Sequence, residues 1–148
     1  MKFNINAVIG GVDDVPIYMS DIIRAVRQEI KSIFSDFKIR SLQKIDICLC
    51  LSGEVSSYFP KSGIYQPKYY FKSKKIIAYI HFSSDEWSSD KKANADKFLE
   101  KLKQYLMELG NIAGRKIANN NLEFDDTQYK DNINKIFENL VVNCWEKI

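Results

Sequence analysis

Apolar and polar residues alternate through Ile45-Asp46-Ile47-Cys48-Leu49-Cys50-Leu51, and a second strand-like run extends from Ile76 to Phe82. A period of two places Ile45, Ile47, Leu49 and Leu51 on one face of a strand and Asp46, Cys48, Cys50 and Ser52 on the other. The first face is expected in the core. Ile76 to Phe82 is the most apolar run of the chain and is expected at the centre of the sheet. Between the two, Gly53 allows a turn or bulge, and Ser56 to Gly63 is loop-like with Pro60 as a breaker. Tyr65 to Lys72 reads as a strand whose Pro67 assigns it to an edge, and Ser73-Lys74-Lys75 as its hairpin connection. Near the start, Phe3 to Ile9 alternates briefly and stops at Gly10-Gly11, which fits a further short strand.

The remaining apolar residues recur at spacings of three and four. Met19, Ile22, Ile23, Val26, Ile30, Ile33 and Phe37 form one stripe, with Arg24, Arg27, Gln28 and Lys31 opposite. Asp13 and Asp14 ahead of Val15-Pro16 suit the entrance to this helix. A second stripe runs from Ala95 through Phe98, Leu102 and Leu106 to Leu109, with Ser88-Ser89-Asp90 offering an N-cap. Gly110 either ends that helix or lies in a kinked extension through Ile117. Asp125, Asp126 and Thr127 open a third helix whose stripe is Tyr129, Ile133, Ile136, Phe137, Leu140, Val141 and Cys144. The expected architecture is α+β: three or four mainly antiparallel strands with helices packed on one face. No long linker or repeat divides the elements, so residues 1–148 are read as a single domain.

Composition changes this picture little. The 148 residues are 45% apolar and 28% charged, the balance of an ordinary globular chain and not of a disordered one. No apolar run approaches the roughly 18 residues of a membrane span. Met1-Lys2-Phe3-Asn4-Ile5-Asn6 lacks the uninterrupted apolar segment of a signal peptide, so a cytoplasmic location without membrane contact is expected. The net charge is +3. It is unevenly spread: residues 1–75 carry 12 basic and 7 acidic side chains, and residues 76–148 carry 10 and 12.

The groups that could support a reaction are few. Cys48, Cys50 and Cys144 have neither disulfide-framework nor zinc-knuckle spacing and are read as packed thiols. His81 is the sole histidine, and across the sheet it could meet Cys48 or Cys50 as a thiolate-activating pair. A strand histidine bonded to a neighbour is the simpler reading. Asp85-Glu86 and Asp125-Asp126 could hold a divalent cation, yet each pair precedes a helix, where carboxylates satisfy free amides. No nucleotide-binding or nucleophile-elbow motif occurs. The expectation is therefore a protein that is not an enzyme and carries no metal or cofactor.

Lys68-Tyr69-Tyr70-Phe71-Lys72-Ser73-Lys74-Lys75 mixes rings with cations. Alternation puts Lys68, Tyr70, Lys72 and Lys74 on one side and turns Tyr69 and Phe71 inward. Such a segment could neutralise phosphates and stack bases, but lysine on an edge strand also guards against unwanted pairing, and a net charge this small is no evidence for nucleic acid. The same groups suit a protein interface, where tyrosine anchors and charge steers the encounter. The surface expected to bind a protein comprises Tyr70, Lys72, Lys74, Lys75, Glu86 and Trp87.

From about Ile45 to Leu140 the order of elements resembles one of the small immunity protein families of bacterial polymorphic toxin systems, the antidotes of contact-dependent and related effectors. The features that carry the resemblance are Leu51-Ser52-Gly53-Glu54 at a strand end, the Lys-rich segment from Tyr69 to Lys75, and Ile76 to Phe82 leading into Asp85-Glu86-Trp87. A long helix and a terminal amphipathic helix follow. The resemblance implies a protein without catalysis that binds and neutralises a cognate toxin domain made by the same cell. Many immunity proteins for nucleases are acidic, whereas this chain has an isoelectric point near 8.6, a departure that argues against a nuclease partner.

Overall fold

A computed structural model of the chain describes residues 1–8, 19–51, 61–83 and 87–143. The elements in chain order are β1 (Lys2–Val8), α1 (Met19–Phe34), β2 (Lys44–Cys50), β3 (Gly63–Tyr70), β4 (Lys75–His81), α2 (Lys91–Asn119) and α3 (Asp126–Asn143). The class is α+β, with four strands in the order β1-β2-β4-β3. As expected, β4 is internal and β3 is an edge strand; Pro67 falls within a break in its register between Tyr65 and Lys68, where Gln66 takes a φ of 51°.

One expectation is corrected. The sheet is mixed rather than mainly antiparallel: β1 pairs with β2 and β2 with β4 in parallel, and only β3 and β4 run antiparallel. Alternation along a strand is blind to its neighbour's direction. The strand–helix–strand order β1-α1-β2 was the available signal, because a helical crossover is what lets consecutive strands run the same way. The whole β3–β4 hairpin then returns the chain so that β4 lies parallel to β2.

One face of the sheet is sealed. Ile45, Ile47, Leu49, Ile76, Ala78 and Ile80 are all buried, in one cluster with residues of all three helices. From α1 come Met19, Ile22, Ile23, Val26, Ile30 and Phe34, the expected stripe except that Phe34 replaces Ile33 and Phe37 at its end. Asp90 caps α2 by accepting from the amides of Lys92 and Ala93 at 3.0 and 3.3 Å, and Asp125 accepts from Gln128 N at 3.0 Å ahead of α3. These caps satisfy amides that a helix start leaves without an internal partner.

Gly110 lies inside α2, which continues to Asn119. A Cβ there would sit 2.6 Å from Cε1 of Tyr129, so the missing side chain is what lets α3 lay its tyrosine ring against α2. The hydroxyl of Tyr129 completes the contact by donating to Leu106 O at 2.7 Å, and burial of the phenol raises its pKa. The expected turn at Gly10-Gly11, the helix entrance at Asp13 to Pro16, the loop features at Gly53 and Pro60, the Asp85-Glu86 pair and Cys144 lie outside the described residues.

Candidate partner-binding surface

The strand register fixes what the sheet presents on the face turned away from the buried cluster. Lys44, Lys75 and Tyr70 stand in one row across β2, β4 and β3; Asp46, Ile77 and Lys68 form the next; Cys48, Tyr79 and Tyr65 the third. None of these nine side chains is buried. Asp46 organises the charged end: its carboxylate lies 3.5 Å from Lys44 Nζ and 3.6 Å from Lys75 Nζ, and accepts from Asn4 Nδ2 at 3.1 Å. Ile77 and Tyr79 bring apolar surface to the middle of the same face.

Beyond the rows the hairpin turns. β3 ends at Tyr70, and Phe71, Lys72, Ser73 and Lys74 form the turn, with Lys74 at a φ of 52°. Tyr70 and Phe71 are 45% and 52% exposed, the large apolar side chains most open to solvent among the described residues. The inward position expected for Phe71 is therefore corrected: alternation ends one residue before it. Tyr69 does turn inward, packing against the core and donating its hydroxyl to Ser41 O at 2.6 Å.

Four of the six residues expected to bind a protein are thus gathered at one place: Tyr70, Lys72, Lys74 and Lys75. Trp87 is not among them. It follows the far end of β4, roughly 20 Å along the strand from the hairpin at the usual rise per residue. Its ring packs on Phe82 and Phe98, each 6.3 Å away between centroids, and joins the apolar cluster. Glu86 lies outside the described residues. Phe71 is the residue that sequence reasoning left out of this surface.

A family model described as Immunity protein 12 matches residues 1–133, from β1 into α3 and so including the whole hairpin. The chain belongs to the Immunity protein 12 family. No curated protein and no solved structure matches it. Membership agrees with the resemblance drawn from the strands and the Lys-rich segment, and it supports an immunity role.

For an Immunity protein 12 member the thiols and the histidine are the groups most in need of a chemical account. Cys50 and His81 are register partners on β2 and β4, as a cross-sheet pair requires. The thiol is poorly suited to act as a nucleophile, however, because burial, and then the neighbouring Cys48, push its pKa up to about 12. His81 is buried, with Nδ1 3.1 Å from Lys61 O and its ring edge-on to Tyr65. Of the second carboxylate pair, Asp125 is the cap already described and Asp126 pairs with Lys130 at 3.0 Å. Among the described residues no three metal-ligating side chains converge, and no helix is long and apolar enough to cross a membrane.

Proposed function

We propose that this protein binds a cognate toxin domain in the cytoplasm of the producing bacterial cell and neutralises it by contact alone. The contact runs through the β3–β4 hairpin and the rows of the sheet next to it, Lys44 with Lys75 and Asp46 with Ile77. The observation that carries this reading is the pairing of Tyr70 and Phe71, two adjacent exposed rings, with lysines on either side. Exposed rings of this kind gain most when a partner covers them, and the lysines around them raise the rate of encounter with a complementary surface.

Membership of an immunity family supports the same reading, and the raised Cys50 thiol argues against a thiolate enzyme. The test is co-expression of the toxin domain encoded beside this gene with wild type, Tyr70→Ala/Phe71→Ala and Lys72→Glu/Lys74→Glu, scored by cell survival and by dissociation constant. Loss of protection in variants that keep their melting temperature supports the hairpin as the contact, and full protection by both would place the contact elsewhere. In the same assay Cys50→Ala/His81→Ala, at two buried positions, is expected to protect as wild type does so long as its melting temperature is kept, since no bond is made or broken.

A further inference from the structure

A concave groove of about 1460 Å³ runs along the free edge of β1, between that strand, the second half of α1, the turn at residues 38–43 and the tip of the hairpin. Among the described residues, every charged side chain lining it is basic. Arg40, Lys44 and Lys75 are matched, the first by Glu123 at 2.7 Å and the other two by Asp46. Lys2, Arg27, Lys31, Lys38 and Lys74 have no carboxylate partner among the described residues. Unmatched cations gathered in a concavity concentrate a positive potential that the net charge of +3 conceals.

The groove is also held in shape. Arg27 donates from Nε to Ile5 O on the edge strand at 2.6 Å, which pins the side chain and leaves both Nη groups without a partner among the described residues. A guanidinium fixed in this way is prepared for a carboxylate, which its planar fork can take in two parallel hydrogen bonds. On the other wall, Lys74 O accepts from Gln43 N at 2.7 Å and Lys44 N at 3.3 Å, and Tyr69 holds Ser41. The turn that carries Lys38 and the hairpin that carries Lys74 are therefore joined by backbone bonds. Among the described residues Phe3 is the one ring that lines the groove, and at 7% exposed it offers no face for base stacking within it.

We infer that this groove seats an acidic, extended segment of the partner protein, its carboxylates meeting Arg27 and the unmatched lysines. The inference rests on the reading that the chain binds a protein toxin, and it adds that the toxin's contact region is acidic and reaches past the hairpin to the β1 edge. Lys74 and Lys75 belong to both surfaces, which makes one continuous interface of them.

The probe is a fluorescein-labelled decaglutamate peptide, titrated at low salt beside decaglutamine and a single-stranded oligouridylate of the same length. Decaglutamate is expected to bind saturably and to weaken with added salt, and decaglutamine to show no binding. Lys31→Glu/Lys38→Glu changes two exposed side chains without disturbing the core, and is expected to weaken decaglutamate by about tenfold. Arg27→Gln should weaken it as well, with a melting temperature lowered by about 2–4 °C at most for the lost bond to Ile5 O. Absence of decaglutamate binding, an unaffected double variant, or tighter binding of oligouridylate would each overturn the inference, the last in favour of nucleic acid. Co-expression with the toxin separates the two readings. If Lys31→Glu/Lys38→Glu protects fully while Tyr70→Ala/Phe71→Ala fails, the groove falls and the hairpin reading stands; if the toxin binds none of the proteins, wild type included, the reading beneath both falls.

Discussion

Leu49 and Cys48 are adjacent in β2, yet they belong to two different environments. Leu49 is fully buried beneath the helices, whereas Cys48 shares a half-open row with Tyr79 and Tyr65. The same contrast holds along β4, where Ile76, Ala78 and Ile80 are sealed and Ile77 and Tyr79 are not. An isoleucine on each side of one strand shows that residue type alone does not separate core from surface. What separates them is which face the amphipathic helices cover, and an apolar side chain such as Ile77 on the other face keeps part of its surface in solvent.

The largest expected effect comes from breaking the sealed side. Leu49→Ala removes a fully buried side chain and should cost about 2–5 kcal/mol of stability, read from the urea midpoint. A loss below about 1 kcal/mol would mean that this face is less tightly packed than its burial implies. On the open side the expectation reverses: Tyr70→Ala/Phe71→Ala should shift stability by no more than about 0.5 kcal/mol. The same variant should cost about 2 kcal/mol or more in partner affinity, measured by calorimetry with the toxin domain.

Two smaller effects sharpen the contrast. Gly110→Ala improves intrinsic helix propensity but drives a methyl into the Tyr129 ring, and a net loss of about 1–3 kcal/mol is expected from overpacking. Adding Tyr129→Ala should make the glycine replacement harmless, which a double-mutant cycle would read directly. The smallest effect concerns the two thiols. In single-cysteine variants at mildly alkaline pH, Cys48 should react with a thiol reagent well ahead of Cys50, whose pKa is pushed up to about 12. Because that pKa lies above the ordinary thiol value of 9.0, the contribution of Cys50 to stability is present below pH 9 and is lost as pH rises toward 12. Replacing Cys50 by alanine should flatten the alkaline limb of the stability profile.

Much of the fold was legible because period and capping are local properties. The stripe from Met19 to Ile30, the inward set Ile45, Ile47 and Leu49, and the caps at Asp90 and Asp125 could be read from neighbouring residues alone. Strand direction could not, since β1, β2 and β4 show the same alternation whichever way their neighbours run. The hairpin surface was legible as chemistry, through Tyr70 and its lysines, but Phe71 was misplaced by one residue of assumed strand. Trp87 was named for its type, and only the packing of Phe82 and Phe98 reveals where its ring belongs. The basic groove was harder still. Lys2, Arg27, Lys38 and Lys74 are scattered along the chain, and their meeting depends on the parallel pairing, which only the order of elements, and not the alternation within them, could signal.

The absent side chain at position 110 also sets a rule for how related chains can vary. Because the tyrosine of one helix occupies the space that a residue of the other gives up, neither position can drift alone. Chains of the Immunity protein 12 family with alanine or a larger residue at the place of Gly110 should carry something smaller than tyrosine at the place of Tyr129, and the two substitutions should be inherited together.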